Sequence, residues 1–271
     1  MENISLVLPD DFGTLRPVGV KDGVLTRFGD KWDGGYLLPA SVIPNVNYII
    51  SYGLGNNFSF EKDLYRTNKN LKITVYDHSV TLFSMLLDVF VSIKNLRKIN
   101  NFRFKVSQVY GRTQFILLYL IFFKSHSDRK HVRSEIVGVS RGNKQTPIQE
   151  TLSNLEDGIL IKMDIEGAEY GTILEALNFS ANIEAICIEF HNIIENRENF
   201  IHIINQLKGE FSLVHCHVNN AGKVLGGVPD ILEITFVSNE YAETYYSNYA
   251  LPLIDLDFPN SPGKNDYKLV F

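Results

Sequence analysis

The chain has 271 residues, 45% hydrophobic and 21% charged, which is the profile of a globular protein with a substantial core. A formal net charge of −5 lacks the broad basic field needed to track a phosphate backbone, so no nucleic-acid partner is expected. The two cysteines, Cys187 and Cys216, lie in apolar stretches without metal-knuckle or CxxC spacing and read as buried thiols of a reducing compartment.

The start of the chain, MENISLVLPDDFG, has no basic segment followed by a long apolar one. The longest apolar run, Phe115 to Phe123, is nine residues, too short to span a bilayer. A cytoplasmic protein without a membrane span is the expectation, as one domain over 1–271. Residues 1–46 form an N-terminal extension carrying Asp33-Gly34-Gly35-Tyr36.

From about residue 47, short β-rich runs alternate with helical patterns, the mark of a mostly parallel sheet with helices on both faces. Seven strands are expected, at Tyr48–Tyr52, Leu71–Tyr76, Val132–Val137, Ile159–Met163, Ala185–Phe190, Ser212–Cys216 and Ile231–Val237. Apolar spacings of three and four predict helices through Leu82, Met85, Leu86, Val89, Phe90 and Ile93, through Tyr170, Ile173, Leu174 and Leu177, and through Phe200, Ile203, Ile204 and Leu207. Thr146-Pro147-Ile148-Gln149 reads as a capping box opening a helix through Leu155. Residues from about 80 to 130 are too many for one crossover helix and read as a helical insertion. The segment LPLIDLDFPNSPGKNDYKLVF at 251–271 reads as a loop closing over something.

Ligands of such sheets bind beyond the carboxyl ends of the strands. After the first strand, Ser51-Tyr52-Gly53-Leu54-Gly55-Asn56-Asn57 places glycines where backbone must approach a ligand closely, and Asp77 ends the second strand 22 residues past Gly55, suited to accept from ribose hydroxyls. A dinucleotide site wants a third small residue where this chain has Phe58, which favours adenosylmethionine over a nicotinamide cofactor. The fourth strand delivers Asp164 and Glu166 to the same edge, the fifth Glu189 and His191, and the sixth His217. Helix starts favour acids, so Glu166 and Glu169 serve a helix dipole equally well.

Together these stretches resemble the FkbM-type methyltransferases. The resemblance rests on RFGDKWDGGYLLP at 27–39, SYGLGNNFSFE at 51–61, Asp77 in VYDHS, KMDIEGAEY at 162–170, IEFH at 188–191, HCHVNN at 215–220, VPDILEITF at 228–236 and LDFPN at 256–260. It implies an α/β class I methyltransferase (Rossmann-like) fold, S-adenosylmethionine as cofactor, and O-methylation of a sugar hydroxyl, on a nucleotide-activated sugar for a bacterial surface polysaccharide. Gly53, Gly55, Asn57, Asp77 and His78 would hold the cofactor; Ser51 stands where an acid usually contacts the methionine amino group, so Asp33 would hold that end instead. Asp164, Glu189, His191 and His217 would form the catalytic group. The acceptor proton leaves either to a general base or with the help of a Mg²⁺ or Mn²⁺ ion on Asp164, Glu189 and His217. Arg97, Lys98, Arg103, Lys105, Arg112, Lys124, Arg129, Lys130 and Arg133 could grip a diphosphate. An NAD-dependent oxidoreductase and a non-catalytic sugar- or cofactor-binding module are the alternatives.

Overall fold

A computed structural model describes residues 3–95, 102–124, 127–138, 144–248 and 250–271. A seven-stranded sheet contains β1 (Tyr48–Tyr52), β2 (Lys72–Tyr76), β3 (Arg129–Val132), β4 (Ile159–Met163), β5 (Ile183–Phe190), β6 (Phe211–Val218) and β7 (Leu232–Ser238), in the order β6-β7-β5-β4-β1-β2-β3. All pairings are parallel except those of β7, which runs against both β5 and β6. The near-continuous apolar runs YIISY and ILIKM are what a strand covered on both faces requires. Ile50, Ile161 and Ile186 face one core with Phe200 and Ile203 of a helix, α5 (Arg197–Glu210); Ile49, Leu160 and Ala185 face a second core. That second core holds α1 (Ser59–Thr67), part of α3 (Phe102–Lys124), and the hairpin Leu25–Phe28 with Tyr36–Pro39. Strand order reverses between the parallel neighbours β1 and β4, which sets the ligand edge at their carboxyl ends. The class I methyltransferase architecture is therefore present.

Local readings fail where tertiary contacts outweigh pattern. The third strand is Arg129–Val132, earlier than its apolar pattern suggests, because the Arg129 side chain is buried against the rings of Tyr65 and Phe122. Glu135–Val137 pairs instead with Gln145–Pro147. Thr146 caps no helix: its hydroxyl bonds Ser134 Oγ, Pro147 stays extended, and the helix α4 covers only Ile148–Leu152. The turns after β4 are the short 3-10 helices Glu169–Gly171 and Ile173–Asn182. In the insertion, α2 (Leu82–Asn95) and α3 pack as a hairpin, but of the apolar positions expected to be covered on α2 only Met85 is fully buried. The segment 251–271 closes over the sheet through Asp257, Asn260 and Asp266, which reach His215, Glu233 and His217, and it ends in a strand, Tyr267–Val270, paired in parallel with Ile4–Val7.

Candidate active site

At the carboxyl ends of β1, β2 and β4 lies a cleft of ≈ 260 Å³ walled by Gly53, Gly55, Asp77, His78, Ser134 and Asp164, among others. Gly53 has φ = 83°, and a Cβ there would fall 1.7 Å from the Asp164 carbonyl oxygen, so β1 and β4 meet closely only without a side chain. Gly55 has φ = 53°, and a Cβ there would meet nothing within 4 Å, so its backbone faces open space. The Lys162 ammonium donates to the Gly53 carbonyl at 2.7 Å and stands 3.6 Å from Asp164 Oδ2. Burial works against that charge, but Asp164, Glu61 and Glu189 outweigh it and raise its pKa.

Asp77, at the cleft wall, also braces the turn around it. Its Oδ2 accepts from the N–H groups of Leu54 (2.8 Å) and Gly55 (3.0 Å), and its Oδ1 from Ser79 N–H and hydroxyl (both 2.7 Å) and Val80 N–H (3.2 Å). Burial raises its pKa, yet these donors prevail and hold it below the ordinary carboxylate value. Asp77 thus fixes the glycine turn. His78 is exposed at the cleft wall. Asn57 bridges the turn to the N-terminal hairpin, donating to the Asp33 carbonyl at 2.9 Å. Ser51 donates to Glu61 Oε1 at 2.6 Å, so α1 returns a buried carboxylate to where β1 lacks one.

Beside the cleft, sheet register puts Glu189 opposite Glu233, and Glu233 opposite His217, in one row across β5, β7 and β6. All three are buried. The carboxylates of Asp33, Glu189 and Glu233 lie within 4.8 Å of one another, as do the polar atoms of Asp164, Glu166 and His191. Asn219 donates to Glu189 Oε1 at 2.9 Å and Asn260 to Glu233 Oε1 at 2.6 Å. Burial, then the negative charges of Glu233 and Asp164, hold the Glu189 carboxyl well above the usual carboxylate range. The Tyr36 hydroxyl of the DGGY segment is buried without a partner and feels Asp164, Glu189 and Glu233 most strongly after its own burial.

His191 is oriented from behind. Its Nδ1 lies 3.1 Å from Glu169 Oε1, while Nε2 faces Glu189 Oε1 at 3.5 Å, Glu166 Oε2 at 3.7 Å and Asp164 Oδ1 at 3.9 Å. Burial lowers its pKa, but the Glu169 bond and the surrounding carboxylates carry it up to about 9. The same Glu169 oxygen accepts from Ile165 and Gly167 N–H, which pins a turn where Glu166 takes φ = 56°, a region usually left to glycine.

The expected catalytic residues therefore separate. Asp164, Glu189 and His191 converge, whereas both nitrogens of His217 are taken up inside the protein, Nδ1 by Glu233 Oε2 at 3.3 Å and Nε2 by Asp266 Oδ2 at 3.0 Å. Among the described residues, Asp164, Glu189 and His217 do not gather as one ligand set. Sequence reasoning passed over Glu61, Glu233 and Asp266, gave Tyr36 no role beyond its place in the DGGY segment, and left Glu169 as a helix-start acid. For Glu233 the signal was present: a lone acid inside the apolar strand LEITFVS. Of the basic series, Arg97 and Lys98 lie outside the described residues, as do the side chains of Arg103 and Lys105. Arg129 is buried between rings, and Arg112 donates to the Asp88 carbonyl and Ser92 Oγ.

A family model described as the methyltransferase FkbM domain matches residues 39–222. No curated protein matches the chain. Similar solved structures include the fibrillarin pre-rRNA processing protein of Methanococcus jannaschii, at 10% identity and a TM-score of 0.38 over 76% of this chain and 71% of that one. Precorrin-6y C5,15-methyltransferase from Geobacter metallireducens is 12% identical, with a TM-score of 0.32 over 73% and 87%. The 23S rRNA methyltransferase ErmE is 8% identical, with a TM-score of 0.35 over 75% and 68%. Among the described residues, no helix is long and apolar enough to cross a membrane.

Proposed function

This chain belongs to the FkbM-domain methyltransferase family, whose cofactor is S-adenosylmethionine, and on that premise we propose that it methylates a hydroxyl oxygen of a sugar. The observation that carries the reading is a group of acceptors beside the cofactor cleft, in which the exposed Asp33 lies over the buried Glu189 and Glu233. A polyol presents many O–H donors and little charge, and carboxylates in a protected site match it closely. The nucleotide-linked form of the sugar, a role in surface polysaccharide and the absence of a nucleic-acid substrate belong to the same proposal. They rest on the family resemblance and the acidic net charge.

Bound S-adenosylmethionine supplies an electrophilic methyl on sulfur, so the chain's residues have to align the acceptor and take its proton. Glu189, with its raised pKa, is the base in this proposal. His191, held by Glu169, faces it, and positive charge there steadies the Glu189 carboxylate before it takes the proton. A divalent cation is the second reading: Asp33, Glu189 and Glu233 offer the hard oxygen donors that Mg²⁺ or Mn²⁺ prefers and would hold it where it acidifies a hydroxyl. Loss of turnover in EDTA with recovery in Mg²⁺ or Mn²⁺ selects the cation; full turnover in chelator selects Glu189 alone.

Incubation with labelled S-adenosylmethionine and a panel of nucleotide sugars, free glycosides, peptides, RNA and phenols tests the proposal. Methyl ethers are expected on sugar carbons. Label confined to peptides, RNA or phenols overturns it, and tight adenosylhomocysteine binding without turnover on any acceptor turns it into a binding module. A thermal shift with NAD in place of adenosylhomocysteine would point back to the oxidoreductase. Asp77→Ala is expected to weaken adenosylhomocysteine binding by about 1–3 kcal/mol, through loss of the braced turn as well as of a ribose partner. Calorimetry showing unchanged affinity removes Asp77 from the site.

A further inference from the structure

The helical hairpin of α2 and α3 is apolar on the wrong side. Phe83, Leu86, Leu87 and Phe90 follow the i, i+3, i+4, i+7 rule of a packed face, yet Phe83 is 72% exposed, Leu86 58% and Phe90 63%. Tyr110, Leu117 and Ile121 continue an exposed apolar stripe on α3. The inner side of the hairpin is accounted for: Met85 is buried, Arg112 ties α3 to α2, and Phe58 anchors α3 through Phe115, Phe122 and Phe123 at 5.3–5.7 Å between ring centroids. The outer stripes thus belong to a formed element with its core contacts already made. Contiguous apolar surface of this kind marks a docking face.

Charge identifies the occupant. Between Asp88 and Asp128 the sequence holds seven lysines and arginines, Lys94, Arg97, Lys98, Arg103, Lys105, Arg112 and Lys124, and no acid, in a chain of net charge −5. A second copy would bring two such basic segments against each other, and an acidic soluble protein would leave Phe83, Leu86 and Phe90 without apolar cover. An anionic bilayer surface satisfies both at once, taking the apolar stripe into the acyl boundary and the ammonium groups of the exposed Lys94 and Lys124 among its phosphates. We propose that the α2–α3 hairpin docks the protein onto anionic membrane surfaces, lying in the interface without crossing it. The hairpin is rooted beside the glycine turn, since Met85, Asp88 and Arg112 share a cavity with Asn56, so docking brings the cofactor cleft close to the lipid headgroups.

The test is co-sedimentation of the full chain with phosphatidylcholine vesicles, with and without about one-third phosphatidylglycerol. Binding is expected to the anionic vesicles only and to fall as salt rises. Phe83→Asp with Phe90→Asp, and separately Lys94→Glu with Lys98→Glu, should each weaken it by about tenfold or more. Phe83, Phe90 and Lys94 lie outside the core, and an unchanged melting temperature and adenosylhomocysteine affinity would show that the variants are folded. No binding to anionic vesicles overturns the proposal, as does binding untouched by the Phe83/Phe90 change. A wild-type dimer made monomeric by that change, without vesicle binding, assigns the face to a second copy and likewise overturns it.

Discussion

Glu189→Gln is expected to lower turnover by about a hundredfold or more while adenosylhomocysteine affinity stays within about twofold. The substitution keeps the shape and the Asn219 contact region but removes the only member of the acidic row that faces both His191 and the cleft-side Asp164. Asp164→Ala should fall as far. His191 Nε2 lies 3.5 Å from Glu189 Oε1, and its charge opposes the rise that burial gives the carboxyl. Burial and the neighbouring acids raise Glu189, so the base-competent carboxylate gains population as pH rises, and turnover should climb on the acid limb. In Glu189→Gln that limb should flatten. Wild-type turnover in both variants would put the reacting oxygen elsewhere.

The second large effect is on stability. His217→Leu should cost about 3–5 kcal/mol, because it strips the shared cation from Glu233 and Asp266 and leaves two buried carboxylates facing an apolar side chain. Burial alone would lower the His217 pKa, but its bonds to Asp266 and Glu233 and the charge of Asp257 raise it from 6.5 to about 10. A raised folded-state pKa stabilises fully below the unfolded value near 6.5, and the contribution fades as pH climbs through about 10. Wild-type melting temperature is therefore expected to drop between these limits more steeply than that of His217→Leu. Equal denaturant midpoints and parallel pH profiles would show that the histidine contributes nothing there.

The sheet was legible because its strands are buried on both faces, and continuous apolar runs such as YIISY and ILIKM survive any register. Arg129–Val132 was not, since its burial depends on Tyr65 of α1 and Phe122 of α3 closing over the Arg129 side chain from two separate helices. Asp164, Glu189 and His191 could be picked out as polar residues ending apolar strands. Which of them meet depends on strand order, and β7 enters between β5 and β6 although it follows both in sequence. That insertion gives Glu189 the neighbour Glu233 and keeps His217 one strand further away. Glu169 looked like a helix-start acid because nothing local announces that its oxygen will reach His191. The exposed stripe of α2 shows the limit of periodicity, which finds an apolar face without saying what covers it.

The pairing of Ile4–Val7 with Tyr267–Val270 also bears on how the molecule assembles. It joins residues from opposite ends of the sequence, and Asp266, which reaches His217, immediately precedes the second of these strands. Loop-closure entropy grows slowly with length, but contacts of such separation form late because little is gained until the intervening elements are in place. On dilution from denaturant, helical signal should therefore return well ahead of acceptor methylation, with the acidic row completed in the slower phase.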